Sequence, residues 1–171
     1  KSTLALQIAT NIAKTGKTAV IFSIEMSEQQ ILERIIASEA GVSKRHLERG
    51  VEDGDVQKLF SSLPNIWSLP LKIDTRPKLS VKNIYDSTKQ VAKSGQVGLV
   101  VVDYTQLIDT SEKSETRARQ LAAAVEDLRS IAKEMDCPVL TLSQINRAGA
   151  SNEEWQDEPQ LHNLAESGGF E

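Results

Sequence analysis

Cysteine is nearly absent from this chain: Cys137 is the only one in 171 residues. A lone thiol excludes an intrachain disulfide and fits a reducing compartment. Aromatic residues amount to 4%, which leaves no ladder of rings for stacked bases. No apolar run approaches the roughly 18 residues that a membrane span needs, and no leader pattern is visible. The expectation is a cytoplasmic protein with no membrane partner. Basic residues do not dominate either, with 20 Lys and Arg against 24 Asp and Glu and a net charge of −4. A polyanion must therefore be met by a local patch or by backbone amides. What remains is ordinary for a soluble domain, 39% hydrophobic and 26% charged, and long enough for one core.

The apolar pattern alternates between helix and strand. Leu4, Ile8 and Ile12 recur at helical spacing before Gly16. Residues 18–23 form an apolar strand-like run, and Ser27 with Gln30 has the spacing of a capping box for a helix reaching Ala40, with Ile31, Leu32 and Ile35 inward. Residues 43–63 read as two short helices broken at Gly50 and Gly54. Leu71–Asp74 reads as a short strand. Ser80 caps a helix closed by Gly95, and Gly98 opens an apolar strand ending at Asp103. The longest helix covers 115–136, with a stripe at Leu121, Val125, Leu128, Ala132 and Met135, and 138–143 is a last buried strand. Continuous apolar strands separated by amphipathic helices predict an α/β fold, a mostly parallel sheet flanked by helices on both faces. Residues 148–163 read as a polar loop.

Ligands of open parallel sheets sit at the carboxyl ends of the strands. Glu25, Asp103 and Gln144 each follow such an end. Singly, each is a polar residue starting a loop; together, facing one crevice, they point to nucleotide hydrolysis. Lys1-Ser2-Thr3 reads as the tail of a phosphate-binding loop, G-x-x-x-x-G-K-[ST]. On that reading Lys1 would neutralise the β- and γ-phosphates of ATP, Ser2 would bind Mg²⁺, and the helix behind them would aim its first amides at the same anion. Asp103 holds the Mg²⁺ shell, Glu25 is the general base for the attacking water, and Gln144 senses the γ-phosphate.

Four stretches carry a resemblance: "IFSIEMS" at 21–27, "LVVVDYTQLI" at 99–108, "LTLSQINR" at 140–147 and "LAESGGFE" at 164–171. In order and spacing they resemble motifs of the DnaB-type bacterial replicative DNA helicase, in its RecA-like C-terminal P-loop NTPase domain. The resemblance implies one domain over 1–171, truncated at both ends, beginning inside Walker A and ending before the arginine finger. Such a piece alone is expected neither to turn over ATP nor to form a robust ring. The resemblance also makes Lys1, Ser2 and Thr3 the end of Walker A, Glu25 the catalytic glutamate, Asp103 the Walker B acid and Gln144 the sensor. It implies a homo-hexameric ring on single-stranded DNA and forked duplex, with a primase and a helicase loader as partners.

DNA contacts are expected in two places. Lys113, Arg117 and Arg119 lie in or beside the loop after Asp103, where pairing with Glu112, Glu115 and Glu126 on a solvated face is the competing explanation. The family's D-L-R-E-S-G motif, whose Arg, Glu and Gly contact the DNA backbone, reads Asn163-Leu-Ala165-Glu166-Ser-Gly168 here. Glu166 and Gly168 match, and Ala165 removes one phosphate contact. His46 and His162 lack metal-ligand spacing and read as surface or capping residues, Cys137 as core, and Trp67 and Trp155 as packing or interface anchors. Other readings are a recombinase-type or clock-type RecA-fold ATPase, or a non-catalytic ring or loader-binding paralogue, which Ala165 favours. With one phosphate contact fewer, the slope of log K for single-stranded DNA against log salt should be shallower by about one unit than in relatives carrying the arginine; equal slopes in a salt titration would contradict this.

Overall fold

The computed structural model describes residues 1–51, 53–103 and 117–143. Helix α1 (Ser2–Lys14) leads to strand β1 (Thr18–Ser23), then to helices α2 (Glu28–Ala40), α3 (Lys44–Arg49) and α4 (Asp53–Trp67). Strand β2 (Leu71–Asp74), helix α5 (Val81–Ala92), strand β3 (Val97–Asp103), helix α6 (Arg117–Glu134) and strand β4 (Val139–Leu142) follow. The sheet order is β2-β1-β3-β4 and every pairing is parallel. This is the α/β architecture that the alternation predicts.

Both faces of the sheet are covered, because successive strand residues point to opposite sides. Ala19 and Ile21 of β1 and Leu99 and Val101 of β3 pack with α1, with Ile31 and Ile35 of α2 and with Ile66 of α4. Val20, Phe22, Val100 and Val102 face the other way, onto Ile84 of α5 and Leu128 and Ile131 of α6. Cys137 joins that second core, and burial, with a smaller push from Asp136, raises its thiol pKa above the ordinary value. The Ser27–Gln30 capping box forms as expected, and Ser80 makes a second one with Asn83. Gly41 closes α2 in the left-handed conformation at φ 64°, which glycine adopts without steric cost.

Several local expectations shift. On α1 the inward face is Ala5, Leu6, Ala9 and Ala13, whereas Leu4 is 63% exposed and Ile8 also faces solvent. Thr10 is buried as well, and three of these five side chains are alanines, so α1 can lie close against β1 and β3. Leu32 is likewise exposed. Gly54 does not break a helix: it lies inside α4, which runs to Trp67 past Pro64. On α6 the buried positions are Ala124, Leu128 and Ile131, with Val125, Ala132 and Met135 on the flanks. Strand β3 begins one residue early, at Val97, and its register with β1 shifts between Thr18 and Ala19. Gly98 occupies that irregularity, where a Cβ would stand 2.6 Å from Lys17 Cβ and 2.7 Å from Ile12 Cγ2.

The Thr88 side chain is 0% exposed, one turn after Ile84 on α5, and its hydroxyl has no hydrogen-bond partner among the described residues. A buried hydroxyl without a partner costs about 1–3 kcal/mol. Thr88→Val keeps the shape and removes the hydroxyl, so thermal unfolding should shift upward by roughly 2–4 °C. An unchanged or lower midpoint would show that the hydroxyl is satisfied.

Candidate active site

Parallel pairing sets one end of every strand on the same rim. Ser23, the last residue of β1, pairs with Asp103, the last of β3, and Asp103 pairs with Leu142, the last of β4. Just past β1, Ile24 N–H donates to the Asp103 carbonyl at 3.0 Å. The buried Ser23 hydroxyl accepts from Met26 N–H at 3.1 Å, which holds the turn that presents Glu25 to solvent.

Lys1 reaches the same rim from the other direction. It stands at the N-cap of α1, and its Nζ donates to the Ser143 carbonyl at 3.2 Å, one residue beyond β4. Ser2 and Thr3 are the first two residues of α1. Unlike α2 and α5, α1 has no side-chain cap, and unlike α2 it has no acid in its first turn. Its leading N–H groups and the positive end of its dipole suit an anion. Arg34 of α2 borders this end, with Nη1 donating to Thr3 Oγ1 at 3.4 Å.

Asp103 is 6% exposed, yet its carboxylate makes no ion pair or hydrogen bond among the described residues. A carboxylate at a strand end with no described partner is suited to a cation. With the Ser2 hydroxyl it offers the hard oxygen donors that Mg²⁺ takes when phosphates and water complete its shell. No cluster of three or more His, Cys, Asp or Glu side chains competes as a metal site among the described residues.

Lys1, Glu25 and Asp103 therefore meet on one rim, with Ser2 and Thr3 opening the helix behind Lys1. Gln144, Lys113, Glu166 and Gly168 lie outside the described residues, as does the Arg117 side chain; Arg119 is exposed on the first turn of α6. Two participants escape a motif reading. The Ser143 carbonyl is a backbone group with no residue signature. Arg34 leaves a faint one, an arginine whose helix neighbours three and four positions away carry no acid.

Other polar clusters are structural. His46 Nδ1 meets Asp55 Oδ2 at 3.0 Å and fastens α3 to α4. Hydrogen bonds from Lys58 and then His46 hold the Asp55 carboxyl below its ordinary value. A cleft of about 750 Å³ opens beside β2 and α5, on the face away from α1, and contains none of the rim residues. At its edge Arg76 forks onto Asp74, with Nε at 2.9 and 3.0 Å from the two carboxylate oxygens, and reaches the Ser87 hydroxyl at 2.8 Å.

A family model of the DnaB-like helicase C-terminal domain matches residues 1–171. The Geobacillus stearothermophilus replicative DNA helicase DnaB is 33% identical over the whole chain, which spans 38% of that relative's length. The Bacillus subtilis replicative DNA helicase DnaC is 31% identical with the same coverage. Among solved structures, an isolated ATPase domain superposes with a TM-score of 0.90 at 26% identity, covering 99% of this chain and 61% of that one. A DnaB-like replicative helicase, described with its interactions with primase, gives a TM-score of 0.88 at 26% identity over 98% of this chain and 42% of its own.

The Arg76 hydrogen bonds lower the Asp74 pKa from its ordinary 3.8. A depressed carboxylate adds stability above its unfolded value and loses it as pH falls through the folded one. Asp74→Asn should therefore cost up to about 1 kcal/mol at pH 7, a pair this exposed being well screened. Urea midpoints of variant and parent should converge as pH drops below 3.8; a gap that persists in acid would contradict the ion-pair account.

Proposed function

The chain belongs to the DnaB-like helicase C-terminal domain family, and from that membership we propose that it is the ATP-hydrolysing motor core of a replicative DNA helicase. Its work is to couple ATP hydrolysis to translocation on single-stranded DNA and so to unwind duplex at the fork. One observation carries the reading: Asp103, buried and with no partner among the described residues, shares a rim with the Lys1 ammonium at the start of a helix.

The chemistry assigned to each residue follows from its type and place. Lys1 offsets charge on the β- and γ-phosphates as the bond to the leaving phosphate lengthens. The first amides of α1 hold the same oxygens. Glu25, turned to solvent by the Ser23 bracket, accepts a proton from the attacking water. Ser2 and Asp103 would hold Mg²⁺, which supplies Lewis-acid neutralisation of the triphosphate. Gln144 senses the γ-phosphate, and Thr3 binds phosphate beside Ser2. Lys113, Arg117, Arg119, Glu166 and Gly168 meet the DNA backbone, through charge and amides rather than stacked rings.

The finer proposals are a homo-hexameric ring, a primase and a loader as partners, and the cytoplasm as location. Phe60 and Trp67, two turns apart on α4 and both more than two-thirds exposed, support a subunit contact on that side. No helix among the described residues is long and apolar enough to cross a membrane. The domain proposed is a single RecA-like ATPase unit over 1–171.

The test is made on the full-length gene product. Glu25→Gln should lower ATP turnover by about 10²–10⁴-fold, the usual contribution of a general base, while nucleotide binding persists. The parent should displace a strand from a forked duplex. Turnover that survives Glu25→Gln removes the catalytic assignment. Strand pairing or phosphorylation without unwinding assigns the fold to a recombinase-type or clock-type ATPase instead.

A further inference from the structure

Two side-chain ties join α1 to α2. Near their C-terminal ends Lys14 meets Glu39 at 2.8 Å in an ordinary surface ion pair. At the start of α1, Arg34 Nη1 donates to the Thr3 hydroxyl at 3.4 Å. This second tie leaves most of its donor unused. Arg34 Nε is buried and has no hydrogen-bond partner among the described residues. No described carboxylate pairs with the guanidinium. The helix positions three and four away are Gln30, Ile31, Ala37 and Ser38, so α2 supplies no acid of its own.

A half-buried guanidinium with idle donors costs free energy unless an acceptor or an anion answers it. Arg76 shows the satisfied alternative, forked onto Asp74. Arg34 instead borders the uncapped, acid-free start of α1. Resting on the nucleotide reading of Lys1, Ser2 and Thr3, we infer that Arg34 is a positioning residue of the nucleotide site. It acts through Thr3, holding that hydroxyl and the first turn of α1 ready for the phosphates. The phosphates in turn supply an anion where no described carboxylate pairs with Arg34. Arg34 does not touch the reacting atoms, so it governs how tightly nucleotide is held rather than how fast the bond breaks.

The experiment is a double-mutant cycle in the full-length gene product, with ATP as the probe. Arg34→Ala should raise the KM for ATP, and the directly measured Kd, by about tenfold, the size of one charge-assisted hydrogen bond, with kcat within about twofold. Thr3→Val, which removes the phosphate contact of Thr3 as well as the tie, should weaken ATP binding at least as much. The double variant should be no worse than Thr3→Val alone, because Arg34 acts through Thr3. Arg34→Lys, which keeps the charge on a shorter fork, should recover part of the loss. Additive effects, an unchanged KM with a lowered melting temperature, or a fall in kcat at unchanged KM would each overturn the inference. A parent protein that fails to bind ATP overturns the nucleotide reading and this inference with it; a parent that binds while Arg34→Ala binds equally well overturns this inference alone.

Discussion

Parallel strands all leave the sheet on the same side, and here the pairing of Ser23 with Asp103 and of Asp103 with Leu142 brings three chain segments to one rim. Glu25 lies two residues beyond the first of these, and the Ser143 carbonyl one residue beyond the third. Shifting β3 by a single residue against β1 would turn Asp103 to the other side of its strand and separate these groups. The pairing is secured by burial on both faces: Val100, Val101 and Val102 are all at most 1% exposed, so each face of β3 resists a slip. Apolar packing thus sets the position of the polar groups that follow it.

The two ends of the α1 packing serve different purposes. Alanines at 5, 9 and 13 let the helix lie close to the sheet, which brings its uncapped N-terminus to the rim where β3 and β4 end. Capping boxes on α2 and α5 satisfy the orphan donors of those helices internally. Only α1, among these three, directs its donors outward, and there the Lys1 ammonium adds to the helix field. Asp103 carries the opposite sign on the same rim. A rim holding both an ammonium and a carboxylate suits a ligand that brings both charges, as a metal-bound triphosphate does.

The strand-end residues were legible because they follow runs that admit a single reading. Four apolar residues and then Asp103 cannot be an amphipathic helix, and the acid must fall where the strand leaves the sheet. The capping boxes at Ser27 and Ser80 were legible for a similar reason, since three-residue reciprocity is a local matter. Helix faces were not. Leu4, Ile8 and Ile12 form a valid stripe, but α1 buries Ala5, Leu6, Ala9 and Ala13 because close approach to a doubly covered sheet rewards small side chains over large ones. Gly54 did not break α4 because it is the second residue of that helix, in the first turn, where the interior penalty of glycine does not arise.

By itself, then, the order of residues determined the alternation of strand and helix, the parallel sheet, and the candidates Glu25 and Asp103, each from neighbours within a few positions, and the candidates Lys1 and Ser2 from motifs ordered along the whole chain. The tertiary structure decided that the Lys1 ammonium meets a carbonyl 142 residues away, that Asp103 is buried without a described partner, and that Arg34 stands behind Thr3. Those facts depend on which elements become neighbours in space. Hydrophobic burial and strand register settle that choice across the whole chain, and no short window of sequence contains it.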